Sequence, residues 1–182
     1  KGDSLPKYYR NILKESIEMN DLVTNLLTIS KLSSPGIKLN QTEVSSLNLI
    51  KRSIEKYETL ELEKDINWVF PEDDFIILGE EKLLKTAFDN IIQNALKYSK
   101  EDGIIYISSD KNKLKIENTM DCALTKDKEL LWEPFSRGEN ATDKSIDGNG
   151  LGLSIVKMIL KLNGLIPEIE IKNNKDILED RK

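Results

Sequence analysis

Phe88-Asp89-Asn90-Ile91-Ile92-Gln93-Asn94-Ala95-Leu96-Lys97-Tyr98-Ser99 is a stretch with two faces. Together with Leu84 and Ala87 just before it, Phe88, Ile91, Ile92, Ala95 and Leu96 recur at helical spacing. They form a broad apolar face suited to packing on a sheet. Thr86, Asn90, Asn94 and Lys97 share the other side, within about a quarter turn of one another at roughly 3.6 residues per turn. Two carboxamides and an ammonium in line can meet a metal-bound polyphosphate. An Asn oxygen is a hard, neutral ligand suited to Mg²⁺, and Lys97 can neutralise phosphate charge. A solvated surface face would carry the same polar stripe, so this helix alone leaves both readings open.

A second segment lies downstream, Asp147-Gly148-Asn149-Gly150-Leu151-Gly152-Leu153, and a helical pattern of Leu153, Val156, Ile159 and Leu160 follows at once. Glycines let a backbone approach a phosphate and present N–H groups at a helix N-terminus, where the helix dipole favours anions. The Gly-Lys-Ser/Thr ending of a Walker A loop is missing. No strand leads directly into the segment, which argues against a dinucleotide fingerprint. An ordinary flexible turn would also explain these glycines taken alone.

Outward from these segments the chain reads as mixed α and β. Residues 5–32 predict one long helix. Ile12, Met19, Val23 and Leu26 form a heptad-like stripe with Ile17 and Leu27 beside it, and Ser33-Ser34-Pro35-Gly36 stops it. The stripe is too short to be stable alone and wants a partner helix. Strands are expected at 37–44, 66–70, 75–78, 104–108, 114–118 and 169–171. Helices are expected from Ser45 or Ser46 through Tyr57, over 80–98, as a short piece within 127–135, and over 151–162. Residues 136–149 read as a loop. The order predicts an α+β fold with helices layered on one face of a mixed sheet, preceded by one long α-helix.

Composition narrows the function. The 182 residues carry a formal net charge of −5 with no basic block, so a nucleic-acid partner is not expected. There are no histidines and a single cysteine, Cys122. Imidazole catalysis, His-ligated zinc and a disulfide framework within one chain are thereby excluded, and a cytosolic setting fits. No run reaches the ~20 apolar residues that span a bilayer. The sequence lacks a starting Met and reads as a piece of something longer.

In combination the motifs are far more specific than any one of them. Phe88 to Ser99 resembles the N box of bacterial sensor histidine kinases. Leu131-Trp132-Glu133-Pro134-Phe135-Ser136-Arg137-Gly138 resembles their F box, and Gly148 to Leu153, continuing Ser154-Ile155-Val156-Lys157, their second glycine box. All three stand in the family's order, and the resemblance runs from about residue 5 to about residue 172. It implies a two-layer α/β sandwich of the histidine-kinase ATPase type that binds ATP with Mg²⁺. It further implies that Asn94 holds the metal, with Asn90 one turn earlier on the same face. Lys97 and Tyr98 would contact the phosphates and the nucleotide. Gly148, Gly150, Leu151, Gly152 and Leu153 would form the phosphate-side turn. Residues 136–147 would be a lid, with Phe135 at its base and Arg137 just inside it. Residues 1–34 would be the second helix of a dimerisation stalk, and residues 35–182 the catalytic domain.

The resemblance also implies a reaction. The parent would phosphorylate a His on the first stalk helix, its own or its dimer partner's. It would pass the phosphate to an Asp of a response regulator, and would be a homodimeric membrane sensor with this part in the cytoplasm. Hydrolytic relatives of the same fold place a Glu one turn before the metal-binding Asn. Here that position is Asn90, and an amide cannot act as a general base near neutral pH. The first glycine box departs from the family pattern: Asn118 stands where an adenine-binding Asp is usual, and Met120 and Cys122 replace glycines. Asn118 can still accept a hydrogen bond from the adenine amino group, without charge. After Ile171 the family's last strand is expected to be lost. These departures keep an alternative open, a degenerate nucleotide-binding module that recruits a partner.

Overall fold

The computed structural model describes residues 7–58, 65–120, 128–136 and 149–171. Helix α1 (Lys7–Leu32) leads to strand β1 (Thr42–Ser45) and helix α2 (Ser46–Glu58), then strands β2 (Asn67–Val69) and β3 (Ile76–Gly79). Helix α3 (Glu81–Tyr98) follows, then β4 (Ile104–Ser109), β5 (Leu114–Asn118), a short 3-10 turn (Lys128–Trp132) and helix α4 (Gly152–Leu162). The strands form two ladders. β1 pairs antiparallel with β3, while β4 pairs parallel with β2 and antiparallel with β5. This is the expected α+β architecture with a mixed sheet.

Burial follows the apolar faces. Leu84, Phe88, Ile92, Ala95 and Leu96 of α3 join Leu49, Ile50, Ile54 and Tyr57 of α2 and Ile77, Ile105 and Ile107 of the strands in one core. A second core gathers Leu32, Ala87, Trp132, Leu151, Ile155, Val156 and Ile159. The apolar face of α3 is therefore shared: one part meets the strands and α2, and Ala87 meets α4. Fully burying a Leu or Ile side chain contributes about 1.5–3 kcal/mol, so this double contact fixes α3 and α4 side by side.

Local chemistry sets the ends of α2. The Ser45 hydroxyl accepts from the Asn48 N–H at 3.0 Å, and Asp74, from the loop before β3, accepts from the Leu47 N–H at 3.0 Å and the Ser46 hydroxyl at 3.3 Å. Two otherwise orphaned helix N–H groups are satisfied this way. Further along, Asp89 of α3 ties the two helices together. It accepts from Ser53 Oγ at 2.6 Å and pairs with Lys56 at 3.1 Å and Lys85 at 2.8 Å. Burial pushes the Asp89 carboxyl up, but the hydrogen bonds from Lys85, Ser53 and Lys56 outweigh it and hold the group below the usual carboxylate range.

Three expected elements differ. The strand expected over 37–44 begins only at Thr42, because β3 ends at Gly79, the partner of Thr42, and offers nothing for the preceding residues to pair with. The strand expected over 169–171 is absent among the described residues. That segment is tied to the β4–β5 turn by side chains instead, with Lys113 reaching Glu168 at 3.2 Å and Glu170 at 3.8 Å. The helical piece within 127–135 is one 3-10 turn, Lys128–Trp132.

Candidate nucleotide site

The polar stripe of α3 is only partly solvated. Thr86, Asn90, Asn94 and Lys97 are all only half-buried or partly exposed, and the exposed positions of the helix are Glu81, Lys82 and Gln93. The stripe runs against the start of α4, where Gly152 sits. A Cβ added to Gly152 would lie 2.8 Å from Asn90 Oδ1 and 3.7 Å from Asn94 Nδ2. Only a residue without a side chain lets the α4 backbone approach the two carboxamides this closely. Asn90 is oriented by its own helix, its Nδ2 donating to the Thr86 carbonyl at 2.9 Å. Its oxygen is thereby turned toward Gly152. Lys97 lies with its Nζ 5.1 Å from the centre of the Tyr98 ring.

The turn before α4 is built for backbone approach. Asn149 Oδ1 accepts from the Leu151 N–H at 3.0 Å, which closes a tight turn. Gly150 has φ +70, a left-handed conformation that side chains resist. No side chain caps the N-terminus of α4, where the positive end of the helix dipole lies. Leu151 is fully buried in the second core and anchors the turn, and Leu153 packs against the same core.

The F-box residues meet this turn directly. The Phe135 N–H donates to the Gly150 carbonyl at 2.9 Å. A Cβ on Gly150 would come within 2.8 Å of the Phe135 backbone. Phe135 itself has φ 63 and a side chain that is 64% exposed. An exposed aromatic held in a left-handed conformation is a strained arrangement of the kind found at functional sites. Trp132, one turn earlier, is buried with Leu151 and Ile155 and pins the segment to α4. Asn118 closes β5, and the backbone beside it is tied to the residue following the C-cap of α3 by the Lys100 N–H donating to the Thr119 carbonyl at 3.1 Å.

The three sequence motifs are therefore one place. Asn90, Asn94, Gly150, Gly152 and Phe135 are linked through contacts, with Leu151 and Leu153 beneath them. Arg137, Gly148, Cys122 and nearly all of the expected lid, residues 137–147, lie outside the described residues. Sequence reading quoted Asp89 without giving it a role. Its spacing of four from Lys85 was a legible signal for an ion pair on one helix face, but its link to Ser53 and Lys56 was not. Among the described residues no group of three or more His, Cys, Asp or Glu converges. A metal here would be held by neutral oxygen and by its own nucleotide, as Mg²⁺ commonly is.

Comparison with known proteins identifies the family and the fold. The model of the histidine kinase-, DNA gyrase B-, and HSP90-like ATPase family matches residues 79–177. The chain is 27% identical over 167 residues to the sensor-like histidine kinase SenX3 of Mycobacterium tuberculosis, covering 87% of this chain and 40% of that protein. It is 30% identical over 152 residues to the adaptive-response sensory kinase SasA of Crocosphaera subtropica, covering 80% and 39%. The chain thus spans less than half the length of these relatives. Among solved structures, the Acinetobacter baumannii histidine kinase AdeS superposes with a TM-score of 0.63 at 15% identity, covering 87% of this chain and 75% of that one. Full-length ShkA in complex with AMPPNP gives 0.62 at 23% identity, covering 88% and 35%. Both share the fold.

Proposed function

Because the chain belongs to the family of histidine kinase-, DNA gyrase B-, and HSP90-like ATPases, we propose that it is the ATP- and Mg²⁺-binding catalytic domain of a two-component sensor histidine kinase, preceded by one helix of its dimerisation stalk. The observation that carries this reading is the approach of Gly152, at the start of α4, to Asn90 and Asn94 on α3. It supports a polyphosphate held between uncapped helix N–H groups on one side and carboxamides with Lys97 on the other.

Each residue then has a task. Asn94 Oδ1 is a fitting Mg²⁺ ligand, and the cation, when bound, offsets phosphate charge. Lys97 adds positive charge from the next turn, and Tyr98 lines the nucleotide. Gly150, Gly152 and the outlying Gly148 allow backbone N–H groups to reach the phosphates. Phe135 would stand at the base of the lid, and Arg137, outside the described residues, keeps the role that the family motif implies. Asn90 is fixed by Thr86 and has no basic site for activating water. The nucleotide is therefore held for another nucleophile, and catalysis rests on positioning and charge neutralisation.

That nucleophile is not in this chain, which has no His. In the proposed reading a His on the companion stalk helix, of the same or the partner protomer, receives the γ-phosphate. A response-regulator Asp takes it next. The parent is a homodimeric membrane sensor with this part in the cytoplasm, and no described helix is long and apolar enough to cross a membrane. Residues 1–34 belong to the stalk and 35–182 to the catalytic domain.

Incubation with γ-labelled ATP tests the reading. The chain alone should gain no acid-labile, alkali-stable phosphate, whereas a His-bearing stalk from the parent, added in trans, should become labelled. Labelling of the chain itself, or steady release of inorganic phosphate, would contradict it.

A further inference from the structure

Asn163 is a buried polar residue at the far end of α4, only 6% exposed. Backbone groups close that end of the helix. The Gly164 N–H donates to the Lys161 carbonyl at 3.0 Å and the Leu165 N–H to the Leu160 carbonyl at 2.9 Å, and Gly164 has φ +74. This is the Schellman arrangement, in which a left-handed residue turns the chain back onto the last carbonyls. The Asn163 carboxamide reaches across to α3 instead. Its Oδ1 accepts from the N–H of Glu80, the N-cap of α3, at 2.8 Å, while its Nδ2 donates to the Ile159 carbonyl at 2.8 Å. With a donor and an acceptor both engaged, the carboxamide has one orientation. The approach is close: a Cβ added to Gly79 would lie 2.6 Å from Asn163 Oδ1.

Two contacts thus join α3 and α4, Glu80 with Asn163 at one end and Asn90 with Gly152 at the other. Glu80 precedes Asn90 by about 15 Å of helix and Gly152 precedes Asn163 by about 16 Å, at roughly 1.5 Å per residue. The helices therefore run antiparallel over a matched length. Between the two contacts Ala87, Ile155 and Ile159 share the second core. Apolar burial is non-directional, whereas a hydrogen bond demands a set length and angle. Sliding α4 by one residue along its axis would break the bond to Glu80 and carry Gly152 off Asn90. We propose that Asn163 is a positioning residue for the nucleotide site. It fixes the axial register of α4, so that the turn at Gly150 and Gly152 stands opposite Asn90 and Asn94. The proposal rests on the nucleotide reading above and adds to it a determinant at the opposite end of the helix.

The test is a double-variant cycle. The intact chain, Gly152→Ala, Asn163→Ala and the combined variant are titrated calorimetrically with the Mg²⁺ complex of a non-hydrolysable ATP analogue, at a temperature where each is fully folded. Asn163→Ala should bind about three- to tenfold more weakly than the intact chain, the worth of one net hydrogen bond. Gly152→Ala should cost the intact chain about tenfold or more, because its methyl group meets Asn90 Oδ1. In the Asn163→Ala background the same change should cost less than about threefold, since α4 is then free to shift. Sites this far apart ordinarily add to within about twofold, so a purely structural role for Asn163 would leave the two penalties equal. Asn163→Asp keeps an acceptor for the Glu80 N–H and should bind within about twofold of the intact chain. If Asn163→Ala does not fold, Asn163→Ser, one bond shorter, carries the same expectation. Unchanged affinity in Asn163→Ala, equal Gly152→Ala penalties in the two backgrounds, or an Asn163→Asp loss as large as that of Asn163→Ala overturns the proposal while leaving the nucleotide site standing. Binding of no nucleotide by the intact chain overturns both this proposal and the reading it rests on.

Discussion

One of the two narrowest clearances in the site separates Gly152 from the Asn90 carboxamide, and its consequence is specific. Gly152→Ala places a methyl group 2.8 Å from Asn90 Oδ1. Asn90 is held by its hydrogen bond to the Thr86 carbonyl, so either that bond is lost as the carboxamide turns or α4 shifts outward. The expected result is at least a tenfold loss of nucleotide affinity by calorimetry, with thermal stability changed by only about 1 kcal/mol, since Ala suits a helix better than Gly. Gly150→Ala should behave differently. Its φ of +70 alone costs a side chain about 1–2 kcal/mol, and the Phe135 backbone stands in the way, so a lower melting temperature should accompany lost affinity. Helical spacing made Asn90, Asn94 and Lys97 legible from sequence, and glycine content marked Gly150 and Gly152. That Asn90 would touch Gly152, or Phe135 bond to Gly150, was not legible. Periodicity reports which residues share a face and says nothing about which distant backbone comes to rest against it.

At the scale of elements, the α2–α3 junction depends on one carboxylate. Asp89 is 15% exposed and gathers Ser53, Lys56 and Lys85. Its folded pKa is depressed, so it contributes stability above its unfolded value near ~3.9, and that contribution is lost as pH falls through the folded value. Asp89→Asn should cost about 1–3 kcal/mol at pH 7, the worth of hydrogen bonds to a charged group. Urea unfolding between pH 7 and pH 3 should show a smaller loss for the variant than for the parent chain. Equal pH dependence would mean that Asp89 does not carry the acid sensitivity. Sequence located every α-helix to within a few residues because each has a strong apolar face. It began the strand at 37–44 too early and expected one at 169–171 that the described residues do not form, since alternation shows that a segment could pair and not whether a partner strand reaches it. Thr42 is the last residue that β3 can serve.

For the whole molecule, α1 has two sides with different obligations. Leu32 is buried in the second core, with Leu22 and Ile29 packed against it. Ile12 and Met19 are 61% and 68% exposed, and Val23, Leu26 and Leu27 are exposed as well. The described positions of the heptad-like stripe read from the sequence are thus left uncovered by the domain, which the proposed stalk role needs. Leu32→Ala should destabilise the fold by about 2–5 kcal/mol in denaturant unfolding. Met19→Glu with Val23→Glu should leave unfolding within about 0.5 kcal/mol of the parent, yet abolish association with the companion helix in analytical ultracentrifugation. A large loss of stability in that double variant would mean that the stripe packs within the chain.

The central claim is a magnesium-dependent nucleotide site built on Asn94. Its most direct test is titration calorimetry of the chain with a non-hydrolysable ATP analogue, with and without Mg²⁺, beside Asn94→Ala. The account predicts binding that needs Mg²⁺ and falls by tenfold or more in the variant. Absence of binding by the intact chain, or binding indifferent both to Mg²⁺ and to Asn94, would contradict it.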